Sequence, residues 1–281
     1  MSIRKFIKSL PKPLRQCIKY TYGLFPLKIR YGKVFWDTYN FLQKSQWWSK
    51  EKLEQYQIEE LSRLINHSYK NVPYYKKVFD ERGLKPKDIQ SLEDLKKLPA
   101  LTKDEFRKNY KDLTANNFKI NDLIISHTSG TTGKPLQWYV NDLENQKELA
   151  FIFHQWSRVG VKPGEPLIQL RGSVINNKKL SEYNPITKVL RLSPIIDSKD
   201  TVKYYIEKIQ KFGAKFLHGY PSAIALFAYK IKEYKIKLPF KLKAILFASE
   251  NVYSWQREIC EDIFGCRTYS HYGMAERVAL A

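Results

Sequence analysis

Cysteine is scarce in this sequence of 281 residues, which contains only Cys17, Cys260 and Cys266. Their number is odd, and their spacing is not that of metal-ligating cysteines. The sequence therefore predicts neither a disulfide framework nor a zinc site. Such sparse cysteine usage favours a reducing, cytoplasmic location.

Long apolar runs are also missing. No run approaches the ~18 residues that a membrane-spanning helix needs. Arg4, Lys5, Lys8 and Lys12 interrupt the beginning of the chain, where a secretory signal would have a continuous apolar core. We therefore expect neither a membrane-spanning helix nor a secretory signal.

Acidic residues are nearly absent from the first fifth of the chain. Asp37 is the single acid in residues 1–50, which therefore carry nearly half of the net charge of +21. The same residues are rich in aromatic and aliphatic side chains. Two interpretations remain open. The segment is either a basic amphipathic element that lies on an anionic membrane surface, or a helical extension that packs its apolar side on the body.

The remaining composition is that of a folded protein. Hydrophobic residues make up 43% of the chain, which is enough to exclude intrinsic disorder. The positive charge is compatible with nucleic acid, anionic membranes or phosphorylated small molecules as partners. Nucleic acid is the least favoured of these, because the sequence has no zinc knuckle, no RNP-type aromatic strand and no obvious recognition helix.

The pattern of elements changes near residue 120. Before it, residues 51–110 are predicted to be helical, and Thr102 with Glu105 forms a capping box at a helix start. After it, short apolar strands alternate with helices, which predicts an α/β fold with a mostly parallel sheet flanked by helices. In such sheets ligands bind beyond the carboxyl ends of the strands. The strands are expected at 123–125, 137–140, 167–170, 215–218, 242–248 and 267–270.

The loop at 128–135 carries the strongest functional signal. Its glycines let backbone N–H groups turn toward an anion, and its hydroxyls and lysine add hydrogen bonds, so it predicts a triphosphate site. Pro135 follows the lysine where a Walker loop has Ser or Thr, which argues against that motif. The loop reads Thr128, Ser129, Gly130, Thr131, Thr132, Gly133, Lys134 and Pro135.

Three further stretches follow predicted strands. The first, residues 218–222, is an ordinary strand-to-helix turn in which His218 is a weak pocket candidate. The second contains Ser249 and Glu250, and the third runs from His271 to Glu276. On residue types alone, each is compatible with a structural turn or a strand end.

Together these motifs resemble those of the adenylate-forming superfamily, which includes acyl-CoA synthetases and nonribosomal peptide adenylation domains. The loop is similar to the pattern Thr-Ser-Gly-Thr-Thr-Gly-x-Pro, with Leu136 in place of the usual following lysine. This variant resembles the phenylacetate–CoA ligase branch and its CapK-like members, which are associated with capsular polysaccharide genes. Residues 72–75 are also similar to that branch, and the resemblance covers about residues 50–281.

The resemblance implies an acid–thiol ligase that consumes ATP with Mg²⁺ and passes an acyl group to an acceptor such as CoA, a sugar amine or a carrier. Lys134 and Glu276 would be catalytic, with Glu276 holding the metal as a hard oxygen ligand. Ala275 stands where the family usually has threonine, so one phosphate hydrogen bond is missing or supplied elsewhere. The remaining ligand contacts would be made by Thr128, Ser129, Gly130, Thr131, Thr132 and Gly133 to phosphate, and by Ser249, Glu250, Tyr272 and Gly273 around the adenine.

The resemblance also bears on domain organisation. We expect a basic helical extension over 1–50 and a partial adenylate-forming large domain over 51–281, without the C-terminal lid domain of the family. Because the sequence ends five residues after Glu276, we expect a truncated or fragmentary form with weak turnover. The alternative to a ligase is a non-catalytic protein that binds nucleotides, a membrane surface or nucleic acid.

Overall fold

The computed structural model of the chain describes residues 10–128, 135–172, 179–274, 276, 277 and 280. The backbone divides into two compact units. We call Met1–Tyr39 with Glu148–Ala281 the sheet unit, and Asn40–Lys147 the hairpin unit. Within the described ranges, no helix combines the length and the apolar character that crossing a membrane requires.

The sheet unit is organised around a sheet whose described strands follow the order β4-β5-β3-β6-β7-β8. Neighbouring strands are parallel except for β4, which pairs with β5 in the antiparallel sense. The expected α/β fold with a mostly parallel sheet is therefore confirmed. The strands are β3 (Leu167–Leu170), β4 (Ser181–Asn184), β5 (Val189–Leu192), β6 (Phe216–Gly219), β7 (Ala244–Phe247) and β8 (Thr268–Ser270).

The β4–β5 pair was not expected from the sequence. β4 reads Ser-Glu-Tyr-Asn and has no buried residue, so it lacks the apolar alternation by which a strand is recognised. It is stabilised by its ladder with β5, which is itself parallel to β3. An edge strand of this kind is specified by its neighbour more than by its own sequence.

Both faces of the central strands are buried, because alternate residues of β3, β6 and β7 enter different cores. Leu217 and Ile245 belong to one apolar cluster, whereas Phe216 and Ala244 belong to the other. This is the period of two expected when successive side chains point to opposite faces. Helices that follow the hairpin unit's strands contribute to these clusters, together with the N-terminal residues described next: α7 (Asp142–Ser157), α8 (Lys199–Phe212), α9 (Pro221–Glu233) and α10 (Ser254–Phe264).

The N-terminal segment contains three helices, α1 (Lys12–Gly23), α2 (Leu27–Tyr31) and α3 (Lys33–Ser45). Its later part enters the sheet unit, since Tyr31 and Phe35 are buried beside Phe153. The Phe35 and Phe153 rings meet edge to face with centroids 5.9 Å apart. The Tyr31 hydroxyl accepts a hydrogen bond of 3.1 Å from the Gly164 N–H, so a residue near the start of the chain is tied to the sheet unit.

The hairpin unit is mainly helical and ends in a two-stranded antiparallel pair. Thr102 and Glu105 form the expected capping box at the start of a helix. Leu61, Ile65 and Phe79 are at the centre of its small apolar core. Its elements are α4 (Lys50–Asn71), α5 (Pro73–Glu81), α6 (Lys103–Lys108), β1 (Ile124–His127), β2 (Gln137–Val140) and the short 3₁₀ helices Pro86–Asp88, Glu93–Lys97 and Ile120–Asp122.

Candidate functional site

The predicted phosphate loop begins and ends on the antiparallel pair β1–β2. His127 pairs with Gln137, and just beyond them the Thr128 N–H donates to the Leu136 carbonyl over 3.0 Å. The Leu136 N–H in turn donates to Thr128 Oγ1 over 3.1 Å. A hydroxyl that accepts such a bond can still donate its own hydrogen, so Thr128 can offer one hydrogen bond to a ligand.

The other loop residues of the prediction, Ser129, Gly130, Thr131, Thr132, Gly133 and Lys134, lie outside the described residues. Their assignment to phosphate therefore stays a prediction. The structure does show that the loop connects two strands, as the sequence indicated, whereas a Walker loop leads from a strand into a helix.

The remaining motifs meet at one edge of the sheet unit. Ser249 and Glu250 follow β7, and Tyr272 follows β8, which lies beside β7 with Phe247 paired to Ser270. On the other side of β7, Gly219 at the end of β6 pairs with Phe247. Because these strands are parallel, their carboxyl ends lie at the same edge, where ligands bind in sheets of this class.

Gly219 allows β6 to approach its neighbour closely. A Cβ atom at this position would lie 1.9 Å from the Leu170 carbonyl oxygen, which is backbone and cannot move aside cheaply. That carbonyl accepts a hydrogen bond of 3.0 Å from the Tyr220 N–H. The turn at 218–222 thus has a structural requirement for glycine, in agreement with its interpretation as a structural connection.

His218 lies beneath this edge and is held as a neutral imidazole. The side chain is 4% exposed, and its ring centroid is 4.8 Å from that of Trp156. Burial lowers the pKa of His218 to about 3, despite its hydrogen bond to the Leu246 carbonyl, with further lowering from Arg171 and His271. Since a carbonyl can only accept, Nδ1 carries the proton in the 3.0 Å contact with Leu246, and Nε2 keeps a lone pair.

Ser249 and Glu250 are both occupied by protein contacts. Ser249 has a φ of +71°, an unusual backbone for a residue with a side chain, and its Oγ accepts a hydrogen bond of 3.1 Å from Arg171. Glu250 Oε2 accepts a hydrogen bond of 3.1 Å from the Ser222 N–H in the first turn of α9. These side chains fix the turn, which is compatible with the predicted role in which the backbone lies against a nucleotide.

Arg171 is a residue of this edge that sequence reasoning missed. It follows β3, and its guanidinium carbon lies 5.5 Å from the centre of the Tyr220 ring. Together with its bond to Ser249, this contact links the ends of β3, β6 and β7. Its position directly after an apolar strand was the available signal, because polar side chains at that point face the ligand edge of a parallel sheet.

Tyr272, Gly273 and Glu276 follow β8 and are less constrained. Tyr272 is 63% exposed, and Gly273 forms a β-bridge with Leu280. Next to Glu276, Arg277 forms an ion pair of 2.8 Å with Glu148. Ala275, where the family's threonine would stand, lies outside the described residues.

Glu276 is suited to a cation whose other ligands are supplied by the substrate. Its side chain is half-buried, and among the described residues it forms no ion pair and belongs to no group of three or more His, Cys, Asp or Glu that could hold a metal. An all-protein metal cage is therefore not formed by this part of the chain. A single carboxylate does fit Mg²⁺, which is usually bound by one or two carboxylates together with substrate phosphates.

A cavity of about 270 Å³ opens at the same edge. It lies by the ends of β7 and β8, and its lining is mostly aromatic and aliphatic. Burial, with a smaller contribution from Arg171, lowers the pKa of His271, so this lining imidazole is neutral at pH 7. The lining residues are Gln155, Trp156, Arg158, Val159, Leu246, Phe247, Tyr269, Ser270 and His271.

Sequence comparisons find two kinds of similar protein. The chain is 27% identical over 259 residues to protein CapK of Staphylococcus aureus, covering 90% of this chain and 56% of CapK. It is 26% identical over 232 residues to phenylacetate–coenzyme A ligase of Thermus thermophilus, covering 81% of this chain and 51% of that enzyme. A shorter match of 99 residues to the Escherichia coli phenylacetate–coenzyme A ligase reaches 37% identity, covering 34% of this chain and 23% of that enzyme. No protein-family model matches the sequence.

Structure comparison finds the same fold in a solved enzyme. 2-Hydroxyisobutyryl-CoA ligase, crystallised in its postadenylation state with an acyl-adenylate, superposes with a TM-score of 0.62. The aligned residues are 15% identical and cover 81% of this chain and 49% of the ligase, so the likeness concerns the fold alone. The chain spans about half the length of the curated relatives that it matches most extensively.

Proposed function

We propose that this chain, a relative of CapK and the phenylacetate–coenzyme A ligases within the adenylate-forming superfamily, binds Mg·ATP together with a carboxylic acid and serves the formation of an acyl-adenylate. The sequence relatives and the fold support this function. The observation that carries it is the convergence of Ser249, Glu250 and Tyr272 at the carboxyl edge of adjacent parallel strands, beside an apolar cavity.

The proposed reaction needs no nucleophilic side chain. One oxygen of the substrate carboxylate attacks the α-phosphorus of ATP and forms a new P–O bond. The bond from that phosphorus to the bridging oxygen of the β-phosphate breaks, and pyrophosphate leaves with the electron pair. The protein's tasks are to align the two substrates and to offset the negative charge that approaches the phosphorus.

Different residues would carry out these tasks. Residues 128–134 would bind the β- and γ-phosphates through N–H and hydroxyl groups, with Lys134 supplying a charge-assisted hydrogen bond. Tyr272 is exposed and would stack on the adenine, while the backbone near Ser249 would lie against it. Glu276 would hold Mg²⁺, which when bound neutralises phosphate charge.

We propose that the cavity at the ends of β7 and β8 accepts the organic part of the acid. Trp156, Val159, Phe247 and Tyr269 give it an apolar and largely aromatic wall, and its volume of about 270 Å³ suits a compact group such as a single ring. The lining imidazole of His271 adds no positive charge at neutral pH, because its pKa is lowered by burial. A compact aromatic or branched acid is therefore the proposed substrate class.

The acceptor of the acyl group is proposed to be a thiol such as CoA or an amine. The resemblance to CapK-like proteins suggests an amino group on a sugar used in surface polysaccharide assembly. An acyl-adenylate is attacked by either nucleophile, with release of AMP. Incubating the chain with ATP, the acid and each acceptor separates the two, because only the true acceptor accelerates AMP release.

Calorimetry with Mg·ATP tests the nucleotide site. We expect Lys134→Ala and Glu276→Gln each to weaken binding about tenfold or more, since each removes a charged contact to phosphate or its metal. Lys237→Ala, at an exposed lysine away from the sheet edge, is the matched control and should bind as wild type does. Equal affinity in all four proteins, or none in wild type, would refute the site.

Pyrophosphate release tests the reaction itself. Compact aromatic acids should stimulate release above the level seen with ATP alone, and long-chain acids should not. Trp156→Ala, which removes the largest side chain of the cavity lining, should relax this preference toward larger acids. Release that is indifferent to the acid would refute the proposed cavity while leaving the nucleotide site standing.

A further inference from the structure

Helix α1 and strand β4 border a common recess. Gln16, Lys19 and Tyr20 face strand β4, with which they enclose a recess of about 220 Å³. The rings of Tyr20 and Tyr183 are 6.5 Å apart. Gln16, Lys19 and Tyr20 nonetheless remain exposed, whereas Arg15 and Ile18 are half-buried.

Helix α1 and the turn after it expose several apolar residues. Leu14 is 49% exposed and shares its helical face with Cys17, Ile18 and Thr21 by the spacing of three and four residues. Beyond the helix, Leu24 is 87%, Phe25 45% and Ile29 53% exposed. Scattered exposed apolar residues are ordinary, but six large apolar or aromatic side chains are exposed within the sixteen residues from Leu14 to Ile29, and four of them are fully apolar. We call Leu14, Leu24, Phe25 and Ile29 the apolar patch.

The apolar patch is presented by a fixed corner of the chain. Arg30 Nη1 donates to the carbonyls of Gly23 over 3.1 Å and of Ile186 over 2.9 Å, which joins the corner between α1 and α2 to the loop after β4. The Tyr22 hydroxyl donates to the Ile29 carbonyl over 3.1 Å and closes the corner on itself. Two residues later, Tyr31 is buried. The exposed residues thus belong to a corner whose backbone is fixed by hydrogen bonds, and not to a poorly packed segment.

The charges around the patch have one sign. Residues 10–36 contain no acid. Lysines and arginines at the rim of an apolar surface can extend their stems along it and keep their charged ends in water, as in helices that lie at a membrane interface. A protein partner would need a matching acidic rim, whereas an anionic bilayer supplies both the apolar layer and the opposite charge. The basic residues of this stretch are Lys12, Arg15, Lys19, Lys28, Arg30 and Lys33.

We propose that the apolar patch and its basic rim form a docking surface for an anionic lipid bilayer. The patch would enter the boundary between headgroups and acyl chains, and the basic rim would lie among the phosphates. This inference is independent of the ligase function, because it uses none of the residues assigned to ATP or to the acid.

Flotation of the full chain with lipid vesicles tests the docking surface. The chain should float with vesicles that contain phosphatidylglycerol and remain unbound with phosphatidylcholine alone, and 0.5 M NaCl should weaken binding. Leu24→Ser with Phe25→Ser should reduce the bound fraction about tenfold or more, since both side chains would leave the interface. Both residues are exposed, so circular dichroism and the melting temperature should be unchanged.

The matched control is Leu226→Ser with Tyr229→Ser, which removes one aliphatic and one aromatic side chain from α9, where these residues are 40% and 53% exposed. This variant should bind as wild type does. Failure of wild type to float, equal binding to neutral vesicles, or equal loss in both double variants would overturn the proposal. Binding that depends on salt but not on Leu24 and Phe25 would do so too, because it would reveal charge attraction to any polyanion. Self-association of wild type that the Leu24 and Phe25 variant abolishes would assign the patch to a second copy instead.

Discussion

The ends of the neighbouring strands β7 and β8 differ in how firmly their side chains are held. After β7, Ser249 receives a hydrogen bond from Arg171, and Glu250 accepts one from the first turn of α9. After β8, Tyr272 is 63% exposed, and Glu276 forms no ion pair among the residues that the structure describes. Both strands end at the same edge of one sheet.

The difference distinguishes side chains that stabilise the fold from side chains that would contact a ligand. Side chains at the β6 and β7 ends form hydrogen bonds that position the backbone. Their loss should therefore appear as a loss of stability. The Tyr272 ring after β8 is largely exposed and contributes little to the fold, so its loss should appear as a loss of ligand affinity. Three substitutions and one change of pH test this distinction.

The largest effect is expected at Gly219. Gly219→Ala places a Cβ atom 1.9 Å from the Leu170 carbonyl oxygen, which forces the two strands apart. We expect a loss of about 3 kcal/mol or more in the free energy of unfolding, measured by chemical denaturation. The control is Gly265→Ala, where φ is +62° and nothing lies within 4 Å of the added atom, at a cost of about 1 kcal/mol. Equal losses would mean that close approach at β6 is not the cause.

The second effect concerns the pH dependence of stability through His218. Its folded pKa is about 3, below the ordinary 6.5, so the unfolded state binds the additional proton between these values. Stability from this residue is therefore full above pH 6.5 and falls by about 1.4 kcal/mol per unit as the pH decreases below it. His154 and His271 act in the same direction, since the pKa of each is also lowered by burial.

Denaturation between pH 7 and pH 5 should show this slope in wild type, with a loss of about 2 kcal/mol from His218. His218→Gln should reduce the slope by about one proton while lowering stability at pH 7. Nitrogen NMR provides the direct check, because a neutral ring protonated at Nδ1 should persist at pH 5. An imidazolium signal from the folded protein at that pH would contradict the assignment.

A smaller effect is expected at Glu250. Glu250→Ala removes the acceptor for the Ser222 N–H and a negative charge at the first turn of α9. The expected cost is about 1 kcal/mol of unfolding free energy. Glu207→Ala, at an exposed position on α8, controls for the loss of an acid and should be nearly neutral. If Glu250→Ala were neutral while ATP binding collapsed, the β7 end would belong with the ligand contacts.

The smallest effect on stability is expected at Tyr272. Tyr272→Ala should change the unfolding free energy by less than about 0.5 kcal/mol, because the ring is largely exposed. The same change should weaken Mg·ATP binding roughly tenfold through the loss of base stacking. Tyr229→Ala, at a tyrosine 53% exposed on α9, is the control and should alter neither quantity. A Tyr272 variant with unchanged affinity would remove this residue from the site.

The sequence was sufficient for most of the fold, because the elements of the sheet unit carry strong local signals. Strand β7 is fully buried and reads as an apolar run, and α8 and α10 end at Gly213 and Gly265 in the left-handed conformation typical of helix ends. Strand β4 could not be predicted, since it is polar and depends on β5. Tertiary pairing of this kind leaves no periodic trace in a single sequence.

The candidate site was predictable only as far as motifs extend. The motifs placed Ser249, Glu250 and Tyr272 at strand ends, where the structure also has them. Arg171 and the wall residue Trp156 belong to no motif, and only their positions after β3 and within α7 bring them to the edge. The hydrogen bond from the Ser222 N–H to Glu250 could not be predicted either. The two residues meet only through the parallel pairing of β6 with β7.

The bond between Tyr31 and Gly164 has a consequence for the order of folding. The sheet unit is discontinuous in sequence, with Met1–Tyr39 and Glu148–Ala281 separated by the hairpin unit. During synthesis, Tyr31 and Phe35 leave the ribosome more than a hundred residues before Phe153 and Gly164, which bury or bind them. Contacts of such long sequence separation form slowly. Tyr31 and Phe35 therefore stay unburied, open to chaperones and to premature association, until the distant half of their core has been synthesised.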